Sequence, residues 1–407
     1  MKLFLEKITS SGGRVGRLVW CTESAQSVLE TPLCLPYTRA GAIPHIVQSV
    51  YQDLSPRPTA AMLTLPSLYE LPGSAVLKEY DYGIHNFLNM KDQFLYLSIQ
   101  DPHCPPRSGF NEEKSTSVWT NGGRMKVSVA GYMEFVRASR PNVFESLCDS
   151  VSSQTNKLKR VRKSVDRTLR FLDQTLAMRQ NCQVLEECGL LGAVVGGDVY
   201  EERVRSATET VKRPVDGFVI EGFDLEHSHE CYQSILQSAT SVLPQSSPRF
   251  IHGVYSPGDI LTAVESGVDV FDSACVLTAT ENGCAFTFHN SSSDCVENRR
   301  ENRGATENIA AEPPSHQIDL NDEKYAMDFS PLLRGCECYC CVHHTRAYIH
   351  HLLITREILA STLLMMHNFT HLMKFFASLR DVLRSPLESD YLHFKSLCAF
   401  PEHFLHA

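Results

Sequence analysis

Short apolar runs alternate with amphipathic stretches through the middle of the chain. The runs LLGAVVGG at 190–197, DGFVIEGF at 216–223, RFIHGVY at 249–255 and GVDVFDS at 267–273 have the length of buried strands. The first three are each followed by residues whose apolar positions recur every three or four places, the spacing of a helix face. Strand and helix alternate at about 25 to 30 residues per unit, which indicates a parallel sheet.

A chain of 407 residues is long enough to close such a sheet into a barrel. We therefore expect an α/β fold in which residues 1–290 form the main part of a (β/α)8 TIM barrel, with a doubly wound open sheet as the alternative. The segment 291–316 is polar and ends in a proline pair, so it is predicted to be a disordered insertion. Residues 317–407, with a long helical pattern at 355–383, are predicted to form a subdomain with closing C-terminal helices.

The composition narrows the class of protein. Apolar residues make up 43% of the chain, enough for a sizeable core. No window reaches the roughly 18 uncharged apolar residues that a membrane span requires. The formal net charge of −9 gives no general attraction to nucleic acid. Fifteen cysteines without an evident secretory start favour reduced thiols, so we expect a soluble intracellular protein in a reducing compartment.

One stretch departs from the acidic balance of the chain. KLKRVRKSVDRTLR at 157–170 holds seven basic residues and one acid. Leu158, Val161, Val165 and Leu169 fall on one stripe of a helix, which leaves the basic side chains on its other faces. Such a surface is either a solvated helix face or an RNA-binding patch. The candidate RNA contacts are Lys157, Lys159, Arg160, Arg162 and Lys163.

A cluster of thiols marks a candidate metal site. In CECYCC at 336–341, the spacing CxCxxC selects Cys336, Cys338 and Cys341, with Cys340 as an alternative. Thiolates on a tight turn are zinc ligands, and a closed shell of four ligands is structural because it leaves no position for a reactive water. We therefore expect one structural Zn²⁺ ion in the C-terminal subdomain. Spacing alone leaves the fourth ligand open among His343, His344, His350, His351, His367 and His371.

Several motifs resemble one known family in the order in which they occur. GIHNFLN at 83–89 is similar to GLHKFMN, and VDVFDSACVLTATENGCAFT at 268–287 aligns without a gap with MFDCVxPTRxxRNGxAFT. CxCxxC is followed by AYIHHLL at 347–353 and then by a helical histidine. The chain thus resembles the tRNA-guanine transglycosylases over most of its length. The resemblance implies a TIM barrel with a zinc subdomain inserted late, and it selects Cys336, Cys338, Cys341 and His367 as the ligands.

The resemblance also implies a reaction, since the family exchanges guanine at the wobble position of GUN anticodons for queuine or its precursor. An aspartate attacks the ribose C1′, and a second aspartate protonates the departing purine. Asp272 falls on the nucleophile position, at a strand end where barrel active sites lie. The second acid is missing: Leu97 stands near its position, and no acid occurs between Asp92 and Asp101.

The positions that read the purine and the tRNA have changed as well. Val195 replaces the glutamine of the family's QGG, and the GGL loop becomes EGF with Glu221 and Phe223. Thr278 and Glu281 replace the two arginines of PTRxxR. Losing a general acid–base costs a factor of about 10² to 10⁴ in rate, so Asp272 is interpreted as a vestigial nucleophile and no catalytic residue is assigned.

The resemblance therefore implies a non-catalytic subunit that pairs with a catalytic homologue and binds or orients tRNA for queuosine modification. It also implies a cytoplasmic location with peripheral association at the mitochondrial outer membrane. One alternative is an active transglycosylase that uses Asp272 together with Asp92, Asp101 or Asp149. Another is a zinc-dependent interaction protein with no RNA role.

Overall fold

The computed structural model of the chain describes residues 1–21, 26–54, 57–104, 110–151, 158–180, 182–222, 229–254, 256–288 and 316–398. The chain divides into two compact units. The first comprises Met1–Gly41, Pro58–Val254 and Thr262–Asp272, and the second comprises Ala42–Arg57, Tyr255–Leu261 and Ser273–Ala407. The predicted insertion at 291–316 lies outside the described residues apart from His316, so the predicted boundaries at 290 and 317 stay predictions.

A small antiparallel sheet, which the pattern of apolar positions did not predict, opens the first unit. Its strands, paired in chain order, are β1 (Lys2–Ile8), β2 (Arg14–Cys21) and β3 (Gln26–Thr31). The later strands of the unit are β4 (Leu33–Leu35), β5 (Ala60–Thr64), β6 (Phe94–Ser98), the hairpin β7 (Ser115–Thr120) and β8 (Gly123–Ser128), β9 (Val143–Glu145), β10 (Gly189–Val194), β11 (Gly217–Ile220), β12 (Arg249–Ile251) and β13 (Val270–Asp272).

Eight of these strands form a parallel barrel in the order β4-β13-β12-β11-β10-β9-β6-β5. The ring closes beyond β4, where Tyr37 bridges Met62 of β5 in parallel register. The Thr38 amide donates to the Met62 carbonyl at 3.1 Å, and the Met62 amide donates to the Pro36 carbonyl at 2.8 Å. The predicted TIM barrel is thus confirmed, and the open-sheet alternative is wrong.

Helices surround the barrel, which explains why its strands read as continuous apolar runs. All six residues of β10 and all five of β6 are buried, as expected for strands covered on both faces. At Gly192 in β10 a Cβ atom would lie 2.4 Å from Cγ2 of Thr210, so glycine permits the close approach of the following helix. The helices of the chain up to this point are α1 (Gln48–Asp53), α2 (Leu65–Leu68), α3 (Gly73–Tyr80), α4 (Gly83–Phe87), α5 (Val129–Ser139), α6 (Leu158–Arg179), α7 (Gln183–Glu187), α8 (Tyr200–Val211), α9 (His229–Thr240) and α10 (Pro257–Glu265).

The second unit is mainly helical around a small antiparallel pair, β14 (Cys284–Phe286) and β15 (Gln317–Asp319). Its core includes Leu320, Leu332, Ile349 and Leu364 together with thiols of the cysteine cluster. Within the described part of the chain, no helix has the length and apolar character needed to cross a membrane. The remaining elements are α11 (Ala274–Glu281), a 3-10 turn (Glu323–Tyr325), α12 (Tyr339–His343), α13 (Arg346–Ile354), α14 (Ile358–Arg384) and α15 (Glu388–Cys398).

Candidate metal centre and barrel mouth

Cys336, Cys338, Cys341 and His367 come together in the second unit with their ligand atoms all within 4.8 Å of one another. The three sulfur atoms lie 3.8, 3.4 and 3.3 Å from Nδ1 of His367. In a tetrahedral zinc site with ordinary Zn–S and Zn–N bonds, the edge between a sulfur and a nitrogen is about 3.6 Å. The four atoms therefore have the spacing of one coordination shell, and they can hold a metal ion.

Local structure places each ligand of this cluster. Cys338 caps the N-terminus of α12, and its sulfur accepts a hydrogen bond from the Cys341 amide at 3.4 Å. His367 is fully buried in α14, and its Nε2 lies 2.8 Å from the Phe286 carbonyl oxygen. A carbonyl can only accept, so Nε2 carries the ring proton and Nδ1 presents its lone pair to the thiols.

The other histidines that spacing allowed have different surroundings. Nε2 of His371 lies 2.8 Å from the Phe288 carbonyl oxygen, and Nδ1 of His350 lies 2.8 Å from the Leu320 carbonyl oxygen. His343 and His351 are exposed. Cys340 is buried, but within the described ranges it is not part of the four-ligand group. The structure thus brings together the set that the family resemblance selected.

The predicted basic helix exists as α6, but ion pairs engage its arginines. Arg160 contacts the buried carboxylate of Asp149 through two nitrogens at 2.9 and 2.7 Å, and Arg167 binds the same carboxylate. Arg162 pairs with Glu202 at 3.3 Å. These contacts neutralise much of the charge that the sequence displays.

Two lysines of the candidate RNA contacts remain exposed on α6. Lys159 and Lys163 make no ion pair with any residue that the structure describes, whereas Lys157 lies outside the described residues. The predicted apolar stripe is buried at Val161, Val165 and Leu169, whereas Leu158 is 43% exposed.

A polar network that the sequence analysis missed lies at the carboxyl ends of the barrel strands. Glu145 ends β9, Glu221 follows β11 and His252 follows β12. Tyr96 of β6 donates its hydroxyl hydrogen to Glu145 at 2.6 Å, and Nε2 of His252 lies 3.0 Å from the same hydroxyl oxygen. Nδ1 of His252 lies 2.9 Å from Oε1 of Glu221.

These contacts define where the protons of the network lie. Because Tyr96 donates to Glu145, its oxygen accepts from Nε2 of His252, and the Glu221 carboxylate accepts from Nδ1. With Glu145 ionised, both ring nitrogens donate, which is the hydrogen-bonding pattern of an imidazolium. Burial alone lowers the pKa of His252, but the hydrogen bond to Glu221 and the charges of Glu145, Glu221 and Asp272 outweigh it and raise the pKa to about 9. Burial raises the pKa of Glu145 to about 7.

The carboxylates proposed from the sequence have distinct surroundings. Asp272 ends β13, is 5% exposed and accepts a hydrogen bond from the Gly253 amide at 2.7 Å. Asp101 accepts from the Tyr37 hydroxyl at 2.9 Å. Asp149 forms ion pairs with Arg160 and Arg167. Leu97 is buried in β6, as its place in an apolar strand requires.

The signal that would have revealed the missed residues was available but weak. Glu145 and His252 each stand at the end of a short apolar run, the position that gathers functional side chains in a parallel barrel. Their partners are far away along the chain, so the sequence does not show that they meet.

The chain combines a closed parallel barrel of eight strands with a unit in which three cysteines and one histidine are placed to hold a metal ion. The profile of the family described as "Queuine tRNA-ribosyltransferase" matches residues 9–391. The chain belongs to this family, which confirms the resemblance to the tRNA-guanine transglycosylases.

Similar proteins from several animals have one description, "Queuine tRNA-ribosyltransferase accessory subunit 2". The Gallus gallus protein is 41% identical over 395 residues, which cover 92% of both chains. The Homo sapiens protein is 41% identical over 406 residues, covering 95% of this chain and 96% of its own. The Trichoplax adhaerens protein is 38% identical over 375 residues, covering 91% and 93%.

Proposed function

We propose that this chain is the non-catalytic accessory subunit of a heterodimeric queuine tRNA-ribosyltransferase. In this role it binds and orients tRNA while a catalytic homologue exchanges guanine for queuine at the wobble position. The description of its relatives as an accessory subunit supports a partner of this kind. A cytoplasmic location and association with the mitochondrial outer membrane stay predictions.

The main support for the absence of catalysis is the surroundings of Asp272. Exchange needs a proton carrier beside the nucleophile, but Leu97 of β6 stands near the position of that acid. Glu145 has a pKa of about 7, which suits proton transfer and keeps an active transglycosylase as the second candidate. Glu145 is, however, fully buried and bonded to Tyr96, Ser98 and the Ile99 amide.

The cysteine cluster supports one structural Zn²⁺ ion per subunit, held by Cys336, Cys338, Cys341 and His367. When bound, the metal would cross-link the parts of the chain that carry its ligands. It would activate no water, because the chain fills all four coordination positions. Its ligands join α12 and the preceding turn to the long helix α14.

Apolar side chains exposed in the second unit support the proposal that a partner subunit binds there. Backbone hydrogen bonds from Arg346 to Ser330 and from Ala347 to Asp328 hold the segment 327–330 against α13. Apolar patches exposed next to each other can mark a protein interface, so we assign the apolar side chains exposed on this segment and on the neighbouring helices to contact with the catalytic homologue. These side chains are Met327, Phe329, Tyr339 and Tyr348, and the rings of Tyr339 and Tyr348 both contact His344.

If this chain is non-catalytic, base exchange in tRNA should require the catalytic homologue. The purified chain should not incorporate labelled guanine into tRNA, because its nucleophile has no acid partner. Mixing with the catalytic homologue should give exchange, and the two chains should co-elute in size-exclusion chromatography. Asp272→Asn in this chain is the control, and it should leave exchange by the mixture unchanged. Exchange by the chain alone that disappears in Asp272→Asn would instead establish the active transglycosylase.

Lys159 and Lys163 predict the salt dependence of tRNA binding. Replacing both with alanine should weaken tRNA binding. The negative slope of the logarithm of the association constant against the logarithm of the salt concentration should become shallower by roughly 1.5, since each lysine that contacts a phosphate releases counterions. The comparison variant is Lys126→Ala with Lys212→Ala, which removes the same charge from two lysines in ion pairs. Equal loss of affinity in both double variants would show that α6 is not a contact surface. Absence of any tRNA binding would favour an interaction protein without an RNA role.

A further inference from the structure

We propose that His252 is a fixed internal cation that fills the mouth of the barrel and excludes a purine base from it. The mouth is the space enclosed by Tyr96, Glu145, Glu221, His252 and Asp272. The proposal rests on the proposed function, since a subunit that performs no exchange has no use for an open base pocket.

The position of the network is the first argument. The side chains that enclose the mouth come from five different strands or from the residues that directly follow them. In parallel barrels this end collects the groups that bind substrate. None of the five side chains is more than 9% exposed. The place where a barrel enzyme holds its ligand is therefore taken up by the side chains of this chain.

The use of hydrogen-bonding groups is the second argument. Glu145 accepts from the hydroxyls of Tyr96 and Ser98 and from the Ile99 amide. Nε2 of His252 lies 3.0 Å from the Tyr96 hydroxyl oxygen, and Nδ1 lies 2.9 Å from Oε1 of Glu221. A purine edge is read by polar groups that are open to it, and an incoming base would have to break these bonds first.

Charge explains why the occupant must be a cation. Glu145, Glu221 and Asp272 all act electrostatically on His252. Gathering carboxylates in a buried site is costly unless an opposite charge compensates them. The ring of His252 also stacks on Tyr96, with centroids 5.6 Å apart and planes at 26°. The imidazolium thus offsets the anionic mouth and is held there by packing.

Arg203 acts as a positioning residue for this arrangement. Its buried guanidinium donates to the carbonyls of Glu221 and Gly222 at 2.6 and 2.7 Å. It also donates to the carbonyl of Gly197 at 2.8 Å. One side chain therefore fixes the loops after β10 and β11, and Glu221 is held where it meets His252.

A cavity complementation experiment tests whether His252 is held as a cation. His252→Gly should lower Tm by roughly 5 °C or more, and imidazole should restore it at pH 8 because the carboxylates favour imidazolium. The matched control is His85→Gly, which removes a ring bonded to the neutral amide of Asn142 at 2.8 Å. At pH 8 imidazole should restore that variant less. No loss of Tm in His252→Gly, or equal rescue of both variants, would overturn the proposal.

Nitrogen NMR of the unchanged protein gives a second measurement, which remains decisive if His252→Gly does not fold. At pH 7.5 both ring nitrogens of His252 should be protonated, and saturating guanine should leave their shifts unchanged. A neutral ring, or a shift on adding guanine, would overturn the proposal. Exchange by the chain alone would refute the proposed function, whereas failure of the His252 measurements alone would leave a non-catalytic subunit with an open mouth.

Discussion

Replacing Cys338 with serine is expected to release the metal ion and to unfold the second unit. Cys338 supplies one of the four ligand atoms, and its sulfur also accepts a hydrogen bond from the Cys341 amide. Binding free energy at structural zinc sites is about 10 kcal/mol or more, and it contributes to folding directly. Loss of one thiolate should therefore cost several kcal/mol. Metal content by mass spectrometry and urea unfolding would measure both effects.

Cys340→Ser is the matched control for this variant. Cys340 lies on the same short helix and is fully buried, but it is not part of the four-ligand group. Its replacement should retain the metal and cost only about 1 to 3 kcal/mol for burying a hydroxyl. If Cys338→Ser instead kept one metal ion per chain and the stability of the unchanged protein, the structural role of the cluster would be refuted.

Raising the pH from 6 to 9.5 is expected to remove about 3 kcal/mol of unfolding free energy through His252. The pKa of this residue is about 9 in the folded chain, above its ordinary value of 6.5. The folded state therefore binds the proton more tightly. This contribution is fully present below pH 6.5 and is lost as pH rises through 9.

The measurement is the difference between the unchanged protein and His252→Gln in urea unfolding across this range. Glutamine removes the titrating ring, so contributions from groups that do not interact with His252 cancel in the difference. The gap between the two proteins should narrow steadily with pH. A gap that stayed constant from pH 6 to 9.5 would show that His252 is not an imidazolium in the folded state.

Local pattern was enough to predict the type of fold. The apolar runs at 190–197 and 216–223 became β10 and β11, and the helical pattern at 355–383 became α14. The closure of the ring between Tyr37 and Met62 could not be predicted in the same way, because it depends on contacts between distant parts of the chain. The small sheet β1-β2-β3 is different, since its strands are neighbours in the chain and were missed although their pairing is local.

The ligands of the candidate metal centre also differ in how far local sequence predicts them. The three thiols lie within six positions, so their spacing revealed them. The choice of His367 depends on the Phe286 carbonyl, which lies far away in the sequence and fixes the ring. Family resemblance supplied what spacing did not.

Charge was the least predictable property of the candidate sites. The basic stretch at 157–170 suggested an open cationic face, but Asp149 and Glu202 bind its arginines. The network of Glu145 and His252 was missed for a related reason, since its members come from separate strands. Electrostatic surroundings are a property of tertiary structure, which a linear pattern of charges does not contain.

The pairing of β14 with β15 has a consequence for how this chain tolerates change in length. Phe286 and Gln317 are direct partners in the register, so the two ends of the intervening segment are anchored beside each other. Asn368 of α14 secures the first end by bonding to the backbone of Cys284 and Phe286. Lengthening a loop between anchored ends costs little, about 0.6 kcal/mol for each doubling. We therefore expect a change in length between these two anchors to leave His367 in place, since its Nε2 bonds to the carbonyl of Phe286.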